Sequence, residues 1–395
     1  MNSIEKLIFN RCPEGVPYKS LGEIAKVNTG TQLNRSLLSS AGKYPVMNGG
    51  IAPSGYHDEF NTEGPVTVIS QGGASAGFVT WMKGKLWLGA HCFAVTTYGE
   101  KTDSRFLYHF LKHSEFEIQN MKSGAGIPGL NRGKLIGLRC PAPPLEVQQE
   151  IVRILDICTN LEASLEAEIK ARKTQYEFYR DRLLSFKDDK KGHVPFYSLG
   201  DIGTTISGLR GKSKEDFSDG NAPYVSYVEI FNNPGIDFVP DKRVKVGSSE
   251  SQSAIRLGDV LITGSSETRN ECGMSAVVTT QPVSPIYVNS FCFIWRPNRH
   301  VELDPLFATH LFRARAFRDR VIETANGVTR QNISKSKFLA IEIPIPPLEV
   351  QISVASILNG FTELEANLEA ELQTRRKQFV HYRSKLLTFK ELSVA

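Results

Sequence analysis

The chain has 395 residues, of which 41% are hydrophobic and 23% charged, with a formal net charge of +5. This length predicts two or three domains, and the composition is that of an ordinary globular protein. With no run of about 18 apolar residues and no apolar leader in the first residues, we expect a cytoplasmic protein without a membrane span.

The first stretch, residues 1–144, alternates short β-type runs with turns rich in Gly, Asn and Ser. VTVIS (66–70) and HCFAVTT (91–97) predict strands, and one helix is expected over about Asp103–Lys122. A glycine-rich loop, GAGIPGLNRGKL (124–135), follows that helix. This order predicts a mixed α/β globular domain with a recognition surface in its loops.

Residues 145–187 are predicted to be helical. The double proline of PPLEVQ (143–148) suits an extended approach to a short amphipathic helix over about Leu145–Ile157. Thr159 and Glu162 fit a capping box, which predicts a second helix start. Large residues then recur at alternating steps of four and three, the pattern of a coiled-coil seam. The seam residues are Leu165, Ile169, Arg172, Tyr176, Tyr179, Leu183 and Phe186.

Residues 188–345 loosely repeat the plan of the first domain. VPFYSLGDI (194–202) resembles VPYKSLGEI (16–24), and a late helix is expected over about Asp304–Thr324. We therefore predict a second mixed α/β domain that shares the plan of the first and differs in detail.

Residues 346–395 repeat the helical segment without a gap. PPLEVQ stands again at 346–351, 203 positions after the first copy, and Thr362 with Glu365 repeats the capping box. The second seam consists of Leu368, Leu372, Arg375, Phe379, Tyr382, Leu386 and Phe389. Two matching seams predict that the two helices, each roughly 40 Å long at 1.5 Å per residue, pack on each other as a rigid spacer.

The start of each helical segment carries apolar residues. Leu145 and Val147, with their counterparts Leu348 and Val350, begin an apolar face at the start of each helix. We interpret Arg172 and Arg375, which interrupt both seams at the same place, as arginines whose aliphatic stems pack while the guanidinium reaches water.

Several loops combine the residue types that contact DNA. Arginine reads guanine, asparagine and glutamine read adenine, and lysine holds phosphates. In the first domain the predicted DNA contacts are Arg35, Lys83, Lys85, Asn131, Arg132 and Lys134. In the second they are Arg210, Lys212, Lys214, Thr268, Arg269, Asn270, Arg330, Gln331, Asn332, Lys335 and Lys337. Any one of these residues taken alone is more often a solvated surface residue. The loops after the two late helices are favoured as DNA contacts because they recur at matching positions.

The residues that would carry catalysis or hold a metal are not found in their usual patterns. The six cysteines are scattered without a CxxC pair, so we expect neither a disulfide framework nor a zinc site. GLRGKS (208–213) ends like a phosphate loop, but Ile206 occupies the position of its first glycine. Motifs of adenine methyltransferases and of nucleases are also missing. We therefore expect a chain that is not an enzyme by itself and has no cofactor of its own.

This organisation resembles the specificity (S) subunit of type I restriction–modification systems over essentially the full length. The resemblance is carried by the twice-written PPLEVQ opening before a heptad helix, by SLGE and SLGD near the start of each domain, and by the loops before each proline pair. Residues 1–144 and 188–345 would then be two target-recognition domains, and residues 145–187 and 346–395 the helical spacers.

The resemblance implies a fold and a set of partners. The two domains would lie at opposite ends of an antiparallel coiled coil with pseudo-twofold symmetry, and each would read one half of a split, asymmetric sequence in double-stranded DNA. Two methyltransferase (M) subunits would dock on the helices, and restriction (R) subunits would join them. S-adenosylmethionine, ATP and magnesium are expected on those partner subunits.

Two alternatives stay open at this point. The chain could be a coiled-coil scaffold whose globular domains bind other proteins instead of DNA. It could also be a complete restriction–modification enzyme, although the missing methyltransferase and nuclease motifs argue against this.

Overall fold

The structure, a computed structural model, describes residues 3–124, 128–186 and 194–392. It divides into two compact units. The first unit comprises Met1–Glu166 and Ala370–Ala395, and the second comprises Ala167–Glu369. Each unit therefore contains one globular domain and a part of each long helix. The predicted boundaries at 144 and 345 fall at strand-to-helix junctions, and the one predicted at 187 lies outside the described residues.

The first unit is built from short elements. Its strands are β1 (Tyr18–Ser20), β2 (Ala25–Thr29), β3 (Tyr44–Met47), β4 (Gly55–His57), β5 (Val66–Ser70), β6 (Val79–Met82), β7 (Trp87–Leu88), β8 (Cys92–Thr97), β9 (Lys122–Ser123), β10 (Gly129–Leu130) and β11 (Arg139–Pro141). Its globular helices are α1 (Ser3–Arg11), α2 (Leu21–Ile24), α3 (Ser104–His113), α4 (Glu115–Asn120) and α5 (Arg132–Ile136), with 3-10 turns at Arg35–Leu37 and Gly99–Lys101.

The central sheet of the first unit has the strand order β2-β8-β5-β6, and its neighbours are antiparallel. β5 is buried along its whole length, which explains why its sequence, VTVIS, lacks a regular alternation of polar and apolar residues. β3 forms a second sheet with β4, antiparallel, and β7, parallel. β1 pairs with β11, and β9 with β10.

The core of the first unit joins this sheet to the long helices. Its members include residues from β8, from α3 and from both helical repeats. They include Phe93, Phe106, Leu107, Leu111, Val147, Ile151, Leu155 and Leu386. Burial of these apolar side chains, at about 25 cal/mol per Å², is the force that fixes the long helices to the domain.

The last residues of the chain complete the first unit. The backbone N–H of Val16 donates to the Lys390 carbonyl at 2.9 Å, and the Leu392 N–H donates to the Val16 carbonyl at 2.9 Å. The Tyr18 hydroxyl donates to the Phe389 carbonyl at 3.1 Å. Residues at the two ends of the sequence therefore belong to one folded body.

The second unit repeats this plan with insertions. Its strands are β12 (Phe196–Ser198), β13 (Gly203–Ser207), β14 (Ala222–Val225), β15 (Gly235–Ile236), β16 (Arg243–Val244), β17 (Val260–Thr263), β18 (Ser265–Ser266), β19 (Ser275–Val278), β20 (Tyr287–Val288), β21 (Cys292–Pro297), β22 (Ala325–Asn326), β23 (Gln331–Ile333) and β24 (Glu342–Pro344). Its globular helices are α7 (Leu199–Ile202), α8 (Tyr227–Asn232), α9 (Pro305–Leu311), α10 (Arg315–Glu323) and α11 (Lys335–Leu339), with a 3-10 turn at Glu215–Phe217.

The sheets of the second unit match those of the first. The order β13-β21-β17-β19 corresponds to β2-β8-β5-β6, and β15 is added at its edge. β16-β14-β20 corresponds to β4-β3-β7, with the same parallel pair between β14 and β20. β12 pairs with β24 as β1 pairs with β11. The prediction of two similar mixed α/β domains is confirmed.

One core residue explains a difference between the two repeats. Trp295 of β21 is fully buried, and its indole N–H donates to the Leu199 carbonyl at 3.0 Å. A Cβ atom at Gly203 would lie 2.6 Å from the Trp295 ring. SLGDI is therefore followed by glycine in the second unit. In the first unit SLGEI is followed by Ala25, because the smaller Val95 occupies the sheet position that corresponds to Trp295.

The two repeated helical segments form long, uninterrupted helices. α6 spans Leu145–Leu183 and has 39 residues, and α12 spans Leu348–Leu387 and has 40. Both carry charged residues throughout. Among the described residues, no helix is long and apolar enough to cross a membrane.

The predicted interruption of these helices is wrong. The Thr159 hydroxyl donates to the Leu155 carbonyl at 2.9 Å, and the Thr362 hydroxyl donates to the Asn359 carbonyl at 3.0 Å. Each hydroxyl thus bonds to the preceding turn instead of capping a new helix, a pattern known for threonine inside helices. The following glutamates have other uses, because Glu162 and Glu365 form ion pairs with the facing helix.

The long helices run antiparallel wherever they meet within one unit. In the first unit, Arg376 of α12 pairs with Glu162 of α6 at 2.6 Å and also with Glu166. In the second unit, Lys173 pairs with Glu365 at 3.2 Å and Glu369 at 2.9 Å. Tyr179, which follows Lys173 along α6, stacks on the ring of Phe361, which precedes Glu365 along α12, with ring centroids 5.5 Å apart. A later position on α6 thus meets an earlier position on α12. The predicted antiparallel packing is confirmed.

The two copies of the seam are buried unequally. Ile169, Leu372 and Leu386 are at most 8% exposed, and Tyr176 and Phe379 are half-buried. Other predicted seam or interface residues remain partly accessible to solvent. Those exposed are Leu145, Tyr179, Leu348, Val350 and Tyr382, while Leu165, Leu183 and Leu368 are half-buried. Val147 is fully buried in the core of the first unit, whereas its counterpart Val350 is 39% exposed.

Each predicted late helix is in fact two helices. In the first unit, α3 ends before Ser114 and α4 follows; in the second, α9 ends before Phe312 and α10 begins at Arg315. Ala314 has an extended conformation, with φ −63° and ψ 145°, which a helix does not tolerate. Arg313 stabilises this break, because its guanidinium donates to the carbonyls of four residues outside the helix.

Candidate nucleic-acid interface

The first globular domain is joined to its long helix through a buried glutamine. Gln148, the last residue of PPLEVQ, is 1% exposed. Its Oε1 accepts from the Asp103 N–H at 2.8 Å, and its Nε2 donates to the carbonyls of Pro143 at 2.8 Å and Lys101 at 3.1 Å. Three backbone groups that lie in or near the domain core therefore depend on one side chain.

The second domain repeats this arrangement. Gln351 is fully buried and bonds to the Asp304 N–H and to the carbonyls of Pro346 and Glu302, each at 2.8 Å. Asp304 in turn caps α9, as Asp103 caps α3. The glutamine thus fixes the late helix, and the loop that follows it, relative to the long helix. The repeated Q in PPLEVQ was the sequence signal for this residue, and its role was missed.

Three of the predicted DNA-contacting loops come together in the second unit. β18 pairs with β23, so that Ser265 faces Asn332 and Ser266 faces Gln331. The Lys335 ammonium donates to the Ser207 hydroxyl at 3.0 Å. We call residues 207–214, 265–271 and 327–337 the second loop cluster.

Most predicted contacts in this cluster are exposed, and local bonds orient them. The Thr268 hydroxyl donates to Glu271 Oε2 at 2.7 Å, and Gln331 Nε2 donates to the Gly327 carbonyl at 2.7 Å. Arg330 lies over the Phe291 ring, 5.7 Å from its centroid. The exposed members are Thr268, Arg269, Asn270, Arg330, Asn332, Lys335 and Lys337, and Gln331 is half-buried.

The SGLRGKSK loop contributes two exposed cations instead of three. Arg210 and Lys214 are exposed, but the Lys212 side chain is only 3% exposed and pairs with Glu250 at 2.6 Å. The hydrogen bond from Lys212 is the main reason that the pKa of Glu250 falls to about 2. Lys212 therefore joins its loop to Glu250. The proposed DNA interface includes Arg210 and Lys214 and excludes Lys212.

Equivalent cations tie the loops to the central sheet in both units. Arg132, the first residue of α5, donates from Nε to the Val27 carbonyl at 2.8 Å. Lys335, the first residue of α11, bonds to Ser207 in the corresponding strand β13. Both residues position the loop after the late helix, and both remain exposed on their other side.

In the first unit, two loops meet in the same way. The Leu130 N–H donates to the Gln71 carbonyl at 2.7 Å, and Gly72 forms a bridge with Gly129. Asn131 caps α5 by accepting from the Lys134 backbone N–H at 3.2 Å. The Lys134 side chain takes no part in this bond and is exposed. We call residues 71–77 together with residues 128–134 the first loop cluster.

The remaining predicted contacts of the first unit lie elsewhere. Arg35 is exposed on a 3-10 turn, and Lys83 is exposed in the turn between β6 and β7. Lys85 pairs with Glu63 at 3.6 Å and lies over the Phe60 ring, 4.2 Å from its centroid. Among the described residues, no hydrogen bond or ion pair joins these three side chains to the first loop cluster.

The chemistry of both clusters is that of binding. They offer guanidinium, ammonium, amide and hydroxyl groups on exposed loops, which can address phosphates and base edges. Within residues 3–124, 128–186 and 194–392, no group of three or more His, Cys, Asp and Glu side chains could hold a metal ion.

Comparison with known proteins agrees with this arrangement. A protein of Haemophilus influenzae named as a putative type I restriction enzyme specificity subunit is 27% identical over 390 residues, covering 95% of this chain and 96% of the relative. The EcoR124I/EcoR124II specificity subunit of Escherichia coli is 29% identical over 268 residues, covering 65% and 63%.

A solved structure shows the same fold. The S subunit of a type I restriction–modification system from M. genitalium superposes with a TM-score of 0.60 at 18% identity, covering 94% of this chain and 96% of that one. A family model described as the type I restriction modification DNA specificity domain matches twice, at residues 13–172 and 192–374. The chain belongs to the family of type I restriction–modification DNA specificity proteins.

Proposed function

We propose that this chain reads a bipartite, asymmetric sequence in double-stranded DNA, one half with each unit. Recognition of a DNA target is the function of the family. The observation that supports two different half-sites is the contrast between the loop clusters. Both occupy matching positions in the two units, but the first is built around QGGASAG and the second around GSSETRNECG.

The helices are proposed to dock the partner subunits. Leu348, Val350 and Ile352 are 39–53% exposed along the start of α12, and Tyr382 is 42% exposed near its end. One solved structure with this fold belongs to a study of complex assembly in a type I R-M system. By analogy, two M subunits would bind these surfaces and R subunits would join them.

The chain itself is proposed to be non-catalytic and to act in the cytoplasm. S-adenosylmethionine, ATP and magnesium would be bound by the M and R subunits. Residues 1–144 and 188–345 would be the target-recognition domains, and residues 145–187 and 346–395 the conserved spacers.

A methylation map tests this function. The chain is expressed together with the M subunit encoded by its own genome, and methylated bases are located by sequencing the host DNA. We expect one motif with two specified halves and an unspecified gap. A contiguous palindrome, or methyl transfer by the purified chain alone, would contradict the proposal.

A further inference from the structure

A cavity of about 320 Å³ opens within the second loop cluster. Two loops of the cluster and the turn before β21 contribute to its walls. The side chains that matter are aromatic, acidic, cationic or amide-bearing: Tyr227, Glu267, Glu271, Asn289, Phe291 and Arg330. Of these, only Arg330 was predicted from the sequence to contact DNA.

The wall that carries Phe291 is rigid although its ring is exposed. Phe291 is 60% exposed, but its N–H donates to Asn289 Oδ1 at 3.0 Å and its carbonyl accepts from the Gly264 N–H at 2.9 Å. A Cβ at Gly264 would lie 2.8 Å from that carbonyl oxygen, so the close approach requires glycine. An exposed aromatic ring on a fixed backbone is suited to contact with an apolar part of a ligand.

The cavity carries both signs of charge. Arg330 lies over the Phe291 ring, 5.7 Å from its centroid, and this cation–π contact holds the guanidinium near the cavity wall. Glu271 is oriented by the Thr268 hydroxyl at 2.7 Å. Glu267 is exposed, and its carboxylate has no hydrogen bond or ion pair in the described part of the chain.

Two carboxylates beside one guanidinium would repel a DNA phosphate. The same carboxylates accept hydrogen bonds from exocyclic amino groups, and in the major groove cytosine offers its N4 amino group. Its partner guanine offers O6 and N7 beside it, the atoms that an arginine contacts bidentately. A single C·G pair therefore presents both functions that the cavity complements.

We propose that this cavity is a base-reading pocket of the second unit that selects a C·G pair. The inference rests on the proposed DNA-binding function. Glu267 and Glu271 accept from the cytosine N4 amino group, Arg330 donates to guanine, and Phe291 packs against the neighbouring nucleotide.

The first unit lacks these groups at the corresponding place. The Gln71 N–H donates to the His91 carbonyl at 2.8 Å, as the Gly264 N–H does to Phe291, so His91 stands where the second unit has Phe291. The loop that follows, GGASAG (72–77), contains neither an acid nor an aromatic residue. The pocket thus belongs to one half-site.

The test is selection from a pool of randomised DNA duplexes. The full-length chain is purified with the partners that copurify from its own cells, and bound duplexes are sequenced. For the wild-type chain we expect a bipartite motif with a C·G pair in one half. Failure to select any motif would overturn the proposed function itself, and with it the pocket.

Three variants then test the pocket. Glu267→Gln with Glu271→Gln should lower the preference for C·G at one position, and Arg330→Lys should lower the preference for guanine there, each by about tenfold to a hundredfold. Glu177→Gln with Glu363→Gln, two exposed acids on α6 and α12, makes the same charge change as the double glutamate variant away from the loops and should leave every recognised base unchanged. If the wild type selects a motif and the pocket variants keep all of its letters, or change only the other half, the pocket proposal is wrong.

Discussion

The imidazole of His109 lies 2.8 Å from Asp156 Oδ1, at the place where the second unit sets His310 against Asn359. Asp156 also accepts from Arg105 Nε at 2.9 Å. In both units a buried histidine on the first late helix therefore contacts a polar residue of the long helix that lies about two turns beyond the buried glutamine. This second contact adds to the one made by Gln148 or Gln351.

The protonation of His109 should make the stability of the chain depend on pH. Burial lowers the pKa of His109 to about 4, although the bond to Asp156 favours the charged form. Between pH 6.5 and 4 the unfolded chain binds a proton that the folded chain does not, so stability falls as pH falls. We expect the free energy of unfolding to be about 2 kcal/mol lower at pH 5 than at pH 7 from this group.

Urea unfolding of the wild type and of His109→Gln at the two pH values measures this effect. His113 and His310 also have pKa values lowered by burial, so both proteins should lose stability on acidification. The loss should be smaller in His109→Gln. Equal losses would show that His109 is protonated in the folded protein.

Replacing Gln148 with leucine should destabilise the first unit. The Asp103 N–H and two carbonyls would remain buried without partners, and unsatisfied buried groups cost about 1–3 kcal/mol each. We expect at least about 2 kcal/mol of destabilisation in chemical denaturation. Gln149→Leu, at the exposed neighbouring position, is the matched control and should change stability by less than about 0.5 kcal/mol. Similar losses in the two variants would contradict the anchoring role.

Removing an exposed cation of a loop cluster should weaken DNA binding at all sequences. Lys134→Ala and Lys214→Ala each delete one ammonium that can neutralise a phosphate, so the slope of log K against log salt should become shallower by about 0.9. Lys170→Ala, which removes the same charge from an exposed position on α6, is the control and should leave the slope unchanged. Fluorescence anisotropy over a salt series measures the slopes, and an unchanged slope in both loop variants would exclude these lysines from the interface.

Shortening the coiled coil should change the number of unspecified base pairs between the two half-sites of the DNA target and leave the bases recognised in each half-site unchanged. Deleting residues 165–171 together with 368–374 removes one heptad from each helix and keeps the seams in phase. Methylation mapping should then show the same two half-sites with a different number of bases between them, or no assembly. A changed half-site would place the reading surface on the helices.

Much of the fold could be predicted because the sequence contains two copies of the same order of elements. A gap-free repeat of more than forty residues fixed the two long helices, and the matching order of strands indicated two domains of one plan. Periodicity could not show that Thr159 and Thr362 lie inside continuous helices. The T-x-x-E pattern can cap the start of a helix, or it can lie inside a helix with its glutamate paired to a neighbouring helix. The sequence does not show which residues face this glutamate, so it cannot distinguish the two.

The candidate site was harder to predict than the fold. Loop composition pointed to segments that the structure gathers into two loop clusters, but Lys212 and Lys214 look alike in sequence, and only the structure shows that Lys212 pairs with Glu250. In the sequence, Arg313 looks like part of a solvated helix face, yet it is half-buried and donates to four backbone carbonyls beside the helix break, and its desolvation lowers its pKa to about 10. Acidic residues such as Glu267, which we propose as acceptors of base amino groups, were not among the predicted contacts because the sequence prediction considered only cationic, amide and hydroxyl side chains.

The hydrogen bonds between Val16 and residues 390–392 also set an order of events during protein synthesis. Residues 167–369 form one continuous stretch, so the second unit can fold as soon as this stretch has left the ribosome. The first unit, although its sequence is made first, has to wait for residues 370–392. A nascent chain should therefore finish its later domain before its earlier one, and a stop codon that removes residues 390–392 should damage the N-terminal domain.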